Sequence, residues 1–115
     1  MFQEPFTEKR PWGEFRQYTS GAPVTVKTVF VKKGERLSLQ YHTKRTEFWK
    51  IISGMPDVTI GDSAIRAKAG DEFFIPKKAN HRIAAVGEDV SFLEIAHGDF
   101  DENDIVRIKD DYGRT

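Results

Sequence analysis

Residues 34–54 read GERLSLQYHTKRTEFWKIISG, and this stretch decides the fold. Across 36–42 polar and apolar side chains alternate, with Leu37, Leu39 and Tyr41 on one face and Ser38, Gln40 and His42 on the other. A period of two marks a strand with one face packed. Lys32-Lys33-Gly34-Glu35 turns the chain before it, and a second strand over 47–52 ends at Ser53-Gly54-Met55-Pro56. Working outward, Val, Thr and Phe at nearly every position of 24–31 predict another strand. Strands over 58–60 and 64–67 flank the tight turn Gly61-Asp62. A strand over 72–75 is ended by Pro76, and strands over 81–86 and 90–96 are expected to form a hairpin about Gly87-Glu88-Asp89. Eight or nine strands at this spacing predict an all-β sandwich or barrel. The tail over 99–107 is the one expected helix, of one or two turns, with the acids from Asp101 to Asp104 charging its first turn.

The 115 residues are expected to form one domain, 1–115, with 38% hydrophobic and 12% aromatic residues to supply its core. Cysteine is absent, which excludes disulfides and thiolate metal sites; any metal must be held by nitrogen and oxygen. Eighteen basic and eighteen acidic residues cancel, which argues against broad attraction to nucleic acid or an anionic membrane. No apolar run approaches the length of a membrane span. The opening MFQEPFTEKRPWG carries two glutamates and two prolines where a signal peptide has basic and then apolar residues, so a cytoplasmic protein is expected.

Gln40 and His42 leave the same strand face, and Glu47 returns beside them after a short turn. His81 opens a late strand just after Pro76-Lys77-Lys78-Ala79-Asn80. Two imidazoles, a carboxylate and an amide oxygen suit one borderline or hard divalent ion. With a single carboxylate, that ion keeps positive charge and remains a Lewis acid.

Gly34-x5-Gln40-x-His42-x4-Glu47-x6-Gly54 followed by Gly70-x5-Pro76-x4-His81 resembles the two cupin motifs, with Gln40 in the place of the first histidine. Lys78 stands for the second motif's glycine and Ala85 for its final asparagine. The run from Leu37 to Trp49 is similar to the LSLQxHHHRxEHW segment of type II mannose-6-phosphate isomerases, which usually form the C-terminal part of bifunctional enzymes with a mannose-1-phosphate guanylyltransferase domain. Arg10-Pro11-Trp12-Gly13, Ile75-Pro76, His81-Arg82-Ile83 and the close from Asp104 to Arg114 extend the likeness over nearly the whole chain. Thr43, Lys44 and Phe48 depart from it, each standing where the family has histidine.

The resemblance implies a cupin fold, the double-stranded β-helix or jelly-roll barrel, and an aldose–ketose isomerisation of mannose 6-phosphate to fructose 6-phosphate. It implies Gln40, His42, Glu47 and His81 as ligands of one divalent ion; zinc is expected, and manganese, iron, cobalt and nickel also accept such sites. A sugar phosphate needs cationic anchors, for which Lys27, Arg45, Arg82 and Arg107 are the candidates. Catalytic candidates are His97, Glu94 and Arg82. A homodimer is expected by the same likeness, with no nucleic-acid or membrane partner. Two alternatives remain open: a cupin oxygenase, which Gln40 disfavours, and a non-catalytic sugar- or metabolite-binding metal cupin.

Overall fold

The β-branched and aromatic runs condense into eleven strands, and no helix occurs among the described residues; the structure is a computed structural model that describes residues 4–98, 101 and 103–114. The strands are β1 Phe6–Arg10, β2 Gly13–Gln17, β3 Val24–Val31, β4 Leu39–Tyr41, β5 Arg45–Ser53 and β6 Asp57–Ile60. They continue with β7 Ser63–Arg66, β8 Glu72–Ile75, β9 His81–Ala84, β10 Val90–Gly98 and β11 Val106–Lys109. Every pairing is antiparallel. One sheet has the order β3-β10-β5-β8, a second β11-β4-β9-β6-β7, and β1-β2 form a separate ribbon.

The two larger sheets face each other across one core, in a jelly-roll arrangement. Trp49, Ile51, Ile75, Val90 and Phe92 of the four-stranded side meet Val58 and Ile83 of the five-stranded side, all fully buried. Each such side chain contributes about 1.5–3 kcal/mol by leaving water. Register carries the inner face across the first sheet. Lys27 lies opposite Glu94, Glu94 opposite Trp49, and Ala96 opposite Glu47. Cross-strand partners project to one side, so these residues share the barrel interior with the core. Gly54, at φ +89°, lets the chain leave β5 for the other sheet; a Cβ there would stand 2.9 Å from Val90 Cγ2.

Two sequence expectations are corrected. The tail is not helical: Asp101 and Asp104 close a turn (Asp104 N to Asp101 O, 2.9 Å), and the chain then enters β11 opposite β4. Alternation in Val106-Arg107-Ile108-Lys109 suits a strand, and the Asp104 carboxylate is engaged elsewhere; Asp99, Phe100 and Glu102 lie outside the described residues. Gly87-Glu88-Asp89 closes no hairpin, because β9 and β10 belong to different sheets and the segment crosses between them. The β1–β2 hairpin was not expected; it docks through Arg16 on Glu72 (2.6 and 2.9 Å) and Lys50 on Tyr18 Oη (2.7 Å). Trp12 stands at the hairpin tip and is 74% exposed, whereas Trp49 is 1% exposed in the core. Beyond β11, Arg36 grips Asp111 bidentately (2.7 and 2.9 Å) and pins the tail to the barrel.

Candidate metal centre

The centre draws on both sheets. Glu47 comes from β5; His81 opens β9; Gln40 lies in β4 with His42 just after it. Gln40 and His81 are cross-strand partners, so their side chains leave one face together. His42, Glu47 and His81 are all buried, and each offers a ligand atom within 4.8 Å of the others. His42 Nε2 stands 3.1 Å from Glu47 Oε2, and His81 Nε2 3.9 Å from Glu47 Oε1. The imidazole rings lie 4.9 Å apart.

Each imidazole is oriented by its other nitrogen. His42 Nδ1 lies 2.7 Å from the Asp104 carbonyl and His81 Nδ1 2.9 Å from the Ala79 carbonyl. A carbonyl only accepts, so both rings carry their proton on Nδ1 when neutral and turn the Nε2 lone pair inward. His81 Nε2 then has no hydrogen-bond partner although fully buried. A cation among these atoms would give His81 Nε2 its missing partner, and the donor set fits a divalent ion. Burial opposes the charge on Glu47, but the neighbouring His42 and His81, with Trp49 Nε1 donating at 2.9 Å, hold its carboxyl down at about 2. Burial pushes the His81 pKa down, which keeps that ring in the neutral, ligating form.

The turns around the ligands are stitched together. Lys78, at the place of the motif glycine, takes φ 67°, the left-handed conformation that glycine adopts at no steric cost. Its N–H donates to the His42 carbonyl at 2.7 Å, tying the two ligand-bearing turns. Asp104 receives Thr43 N (3.0 Å), Thr43 Oγ1 (2.8 Å) and Lys44 N (2.9 Å). Burial works against the Asp104 charge, and these donors still hold its carboxyl at about 2. Because its carbonyl also orients His42, Asp104 was the positioning residue missed in the sequence, where the acids read as a helix start. Asp104→Ala is expected to cost about 1–2 kcal/mol in chemical denaturation and to weaken metal affinity about tenfold in a titration. Unchanged values in both would show that the latch is idle.

The other sequence candidates separate by face. Lys27 and Glu94 lie on the inner face, one opposite the other. Arg45 is buried in the centre itself: Nε donates to Glu47 Oε2 (3.0 Å), Nη2 contacts His42 Nε2 (3.2 Å) and Nη1 reaches the Asp101 carbonyl (3.3 Å). Arg107 is the cross-strand partner of Gln40 and leaves the same face. Burial, helped by the Glu47 charge and offset by Lys27 and Arg45, pushes the Glu94 carboxyl up to about 7. Arg82 and His97 do not join this group. Arg82 follows His81 directly and projects to the outer face, where it donates to the carbonyls of Leu37 (2.9 Å) and Lys109 (3.3 Å). His97 follows the inward Ala96 and is buried on the outer face opposite Thr46 and Val24. Thr43, Lys44 and Phe48 are also off the inner face: the first two form the turn held by Asp104, and Phe48 packs under Tyr18 at 5.5 Å. A separate cleft of about 520 Å³, between Phe30, Arg36, Leu37 and Tyr112, shares no residue with the centre.

Two facing sheets with imidazoles and a carboxylate meeting at one end of their inner faces define a cupin. The chain belongs to the mannose-6-phosphate isomerase C-terminal family, whose model matches residues 3–110. It is 38% identical over 108 residues to the xanthan biosynthesis protein XanB of Xanthomonas campestris pv. campestris strain B100, an alignment that takes in 92% of this chain and 23% of that protein. Over 105 residues it is 37% identical to mannose-1-phosphate guanylyltransferase 2 of Escherichia coli O157:H7, covering 90% of this chain and 22% of that one. The chain thus spans under a quarter of the length of these relatives. Among solved structures, a cupin protein from Bacteroides fragilis matches with a TM-score of 0.60 and 26% identity over 65% of each chain.

Proposed function

We propose that the chain is a metal-dependent sugar-phosphate aldose–ketose isomerase that interconverts mannose 6-phosphate and fructose 6-phosphate. One observation supports this reading above the others: the inner face sets Glu94 opposite Lys27 and in the same interior as the metal centre and Arg45, where burial pushes its carboxyl up to about 7. The isomerisation moves a proton from C2 to C1 of the open-chain sugar and a hydroxyl proton from O2 to O1, through a cis-enediol. A divalent ion held by His42, Glu47, His81 and Gln40 supplies Lewis-acid polarisation of the carbonyl.

Glu94 takes the C2 proton as carboxylate and returns it to C1 as the acid. A group with its pKa near the working pH serves both half-steps. Lys27, its cross-strand partner, offsets its charge. Arg45 and Arg107 bring permanent positive charge to the same face for the phosphate. Trp49 and Phe92, fully buried, wall the interior against water. Gln40 contributes a neutral oxygen, which accepts from Ser38 Oγ at 2.8 Å. Zinc suits this nitrogen–oxygen set.

Incubation of metal-loaded protein with mannose 6-phosphate is expected to yield fructose 6-phosphate, and chelation to abolish the yield. Absence of product with metal bound would overturn the reading. Stabilisation by mannose 6-phosphate without turnover would point to a binding protein instead.

A further inference from the structure

Arg45 occupies an unusual place. Its side chain is 8% exposed, and its guanidinium donates to a carboxylate oxygen of one metal ligand while pressing Nη2 against the Nε2 lone pair of another at 3.2 Å. His42 Nδ1 is already committed to the Asp104 carbonyl, so Nε2 has one lone pair and one place to direct it. An N–H donor and a metal ion cannot both take it. The guanidinium is also permanently charged, and two cations a few ångströms apart inside a barrel repel strongly.

We propose that Arg45 is a displaceable occupant of the metal centre. It satisfies Glu47 and His42 in the metal-free chain, yields His42 Nε2 when the metal binds, and turns to the anionic group of the ligand. Metal binding and anion binding are then positively coupled through this one side chain. The inference rests on the metal-centre reading above and adds to it a regulation of the same site.

Both ends of the exchange are provided for. Glu47 and Arg45, both buried, compensate each other at 3.0 Å. A buried cation that loses its partner is costly, so the displaced guanidinium gains from meeting a new anion. Lys27 acts on Glu94 from the same interior as Arg45 does, so the released side chain turns within a region already supplied with a second cation. The Asp101 carbonyl, 3.3 Å from Nη1, is a tether that neither metal nor anion needs to break. Reciprocity follows: whatever factor metal adds to anion affinity, anion adds to metal affinity.

The test is calorimetric titration of the full chain with Co²⁺, with and without saturating inorganic sulfate, a tetrahedral anion that leaves Co²⁺ in solution. For the wild-type chain, sulfate is expected to raise Co²⁺ affinity at least about fivefold. Arg45→Met is expected to bind Co²⁺ about tenfold tighter without sulfate, because the competitor is gone, and to lose the sulfate effect. Arg45→Lys keeps the charge without the fork and should fall between them, which covers the case in which the methionine variant fails to fold without metal. Equal or weaker Co²⁺ binding by both variants overturns the proposal while the metal centre stands. A wild-type affinity indifferent to sulfate overturns the coupling. Failure of the wild-type chain to bind Co²⁺ at all overturns this proposal and the metal reading together.

Discussion

His81→Ala is expected to abolish stoichiometric metal binding and, with it, isomerase activity, while the β-sheet signal of the chain survives. His81 Nε2 is a fully buried nitrogen with no hydrogen-bond partner, and an incoming cation would supply one. Loss of groups that merely orient a ligand typically costs 10–100-fold in metal affinity, so loss of a ligand is expected to cost more than about 100-fold. The remaining imidazole and carboxylate stay 3.1 Å apart, but Arg45 already satisfies both, and the truncated centre favours the metal-free arrangement. Stability should follow the same pattern. Metal at about 100 times its dissociation constant adds about 2.7 kcal/mol to the wild-type chain, and the variant should show no such gain. Metal analysis after dialysis, together with thermal unfolding with and without metal, reads both effects. Unchanged metal stoichiometry would refute the site.

The contrast between what could and could not be read in advance follows from the range of the interactions. His42 and Glu47 are joined by one short turn, and His81 follows a proline-terminated strand, so local spacing sufficed to name them. Face parity was also local, and it separates candidates that sequence reading had grouped. Arg82 is one residue from a ligand and therefore opposite to it; Arg45 is two residues from Glu47 and therefore beside it. Partnership between strands is not local. Nothing near Lys27 announces Glu94, and nothing near Val106 announces β4, because those contacts are made by register across sheets. The same holds for Gly87-Glu88-Asp89, whose turn residues are indistinguishable from a hairpin until the sheets are known. The β1–β2 ribbon escaped for a different reason. Its strands are largely exposed, so no apolar period betrays them.

Glu94→Gln is expected to retain metal and lower kcat by about 10²–10⁴-fold, the usual contribution of a positioned acid–base group. Gln preserves the shape and removes only the ionisable oxygen, so retention of metal distinguishes a lost proton carrier from a disturbed centre. Glu94→Asp, with the carboxyl drawn back by one carbon, should recover part of the rate. The same substitution has a consequence that needs no substrate. The Glu94 carboxyl sits at about 7 in the folded chain, above its ordinary value of 4.5. Between those two pH values the folded chain binds the proton and the unfolded chain does not. Stability therefore falls as pH rises through that window, by on the order of 3 kcal/mol in the metal-free chain. His81, whose pKa burial pushes down, gives a slope of the opposite sign: its contribution is lost as pH falls below the unfolded histidine value. The two are separated by subtraction, since His81 is common to both proteins. Urea unfolding of the metal-free wild-type and Glu94→Gln chains at about pH 5 and about pH 8 should show the variant relatively more stable at the higher pH. A difference between the two proteins that does not change with pH would mean that Glu94 is already ionised in the barrel, and would remove it as the group that carries the proton both ways.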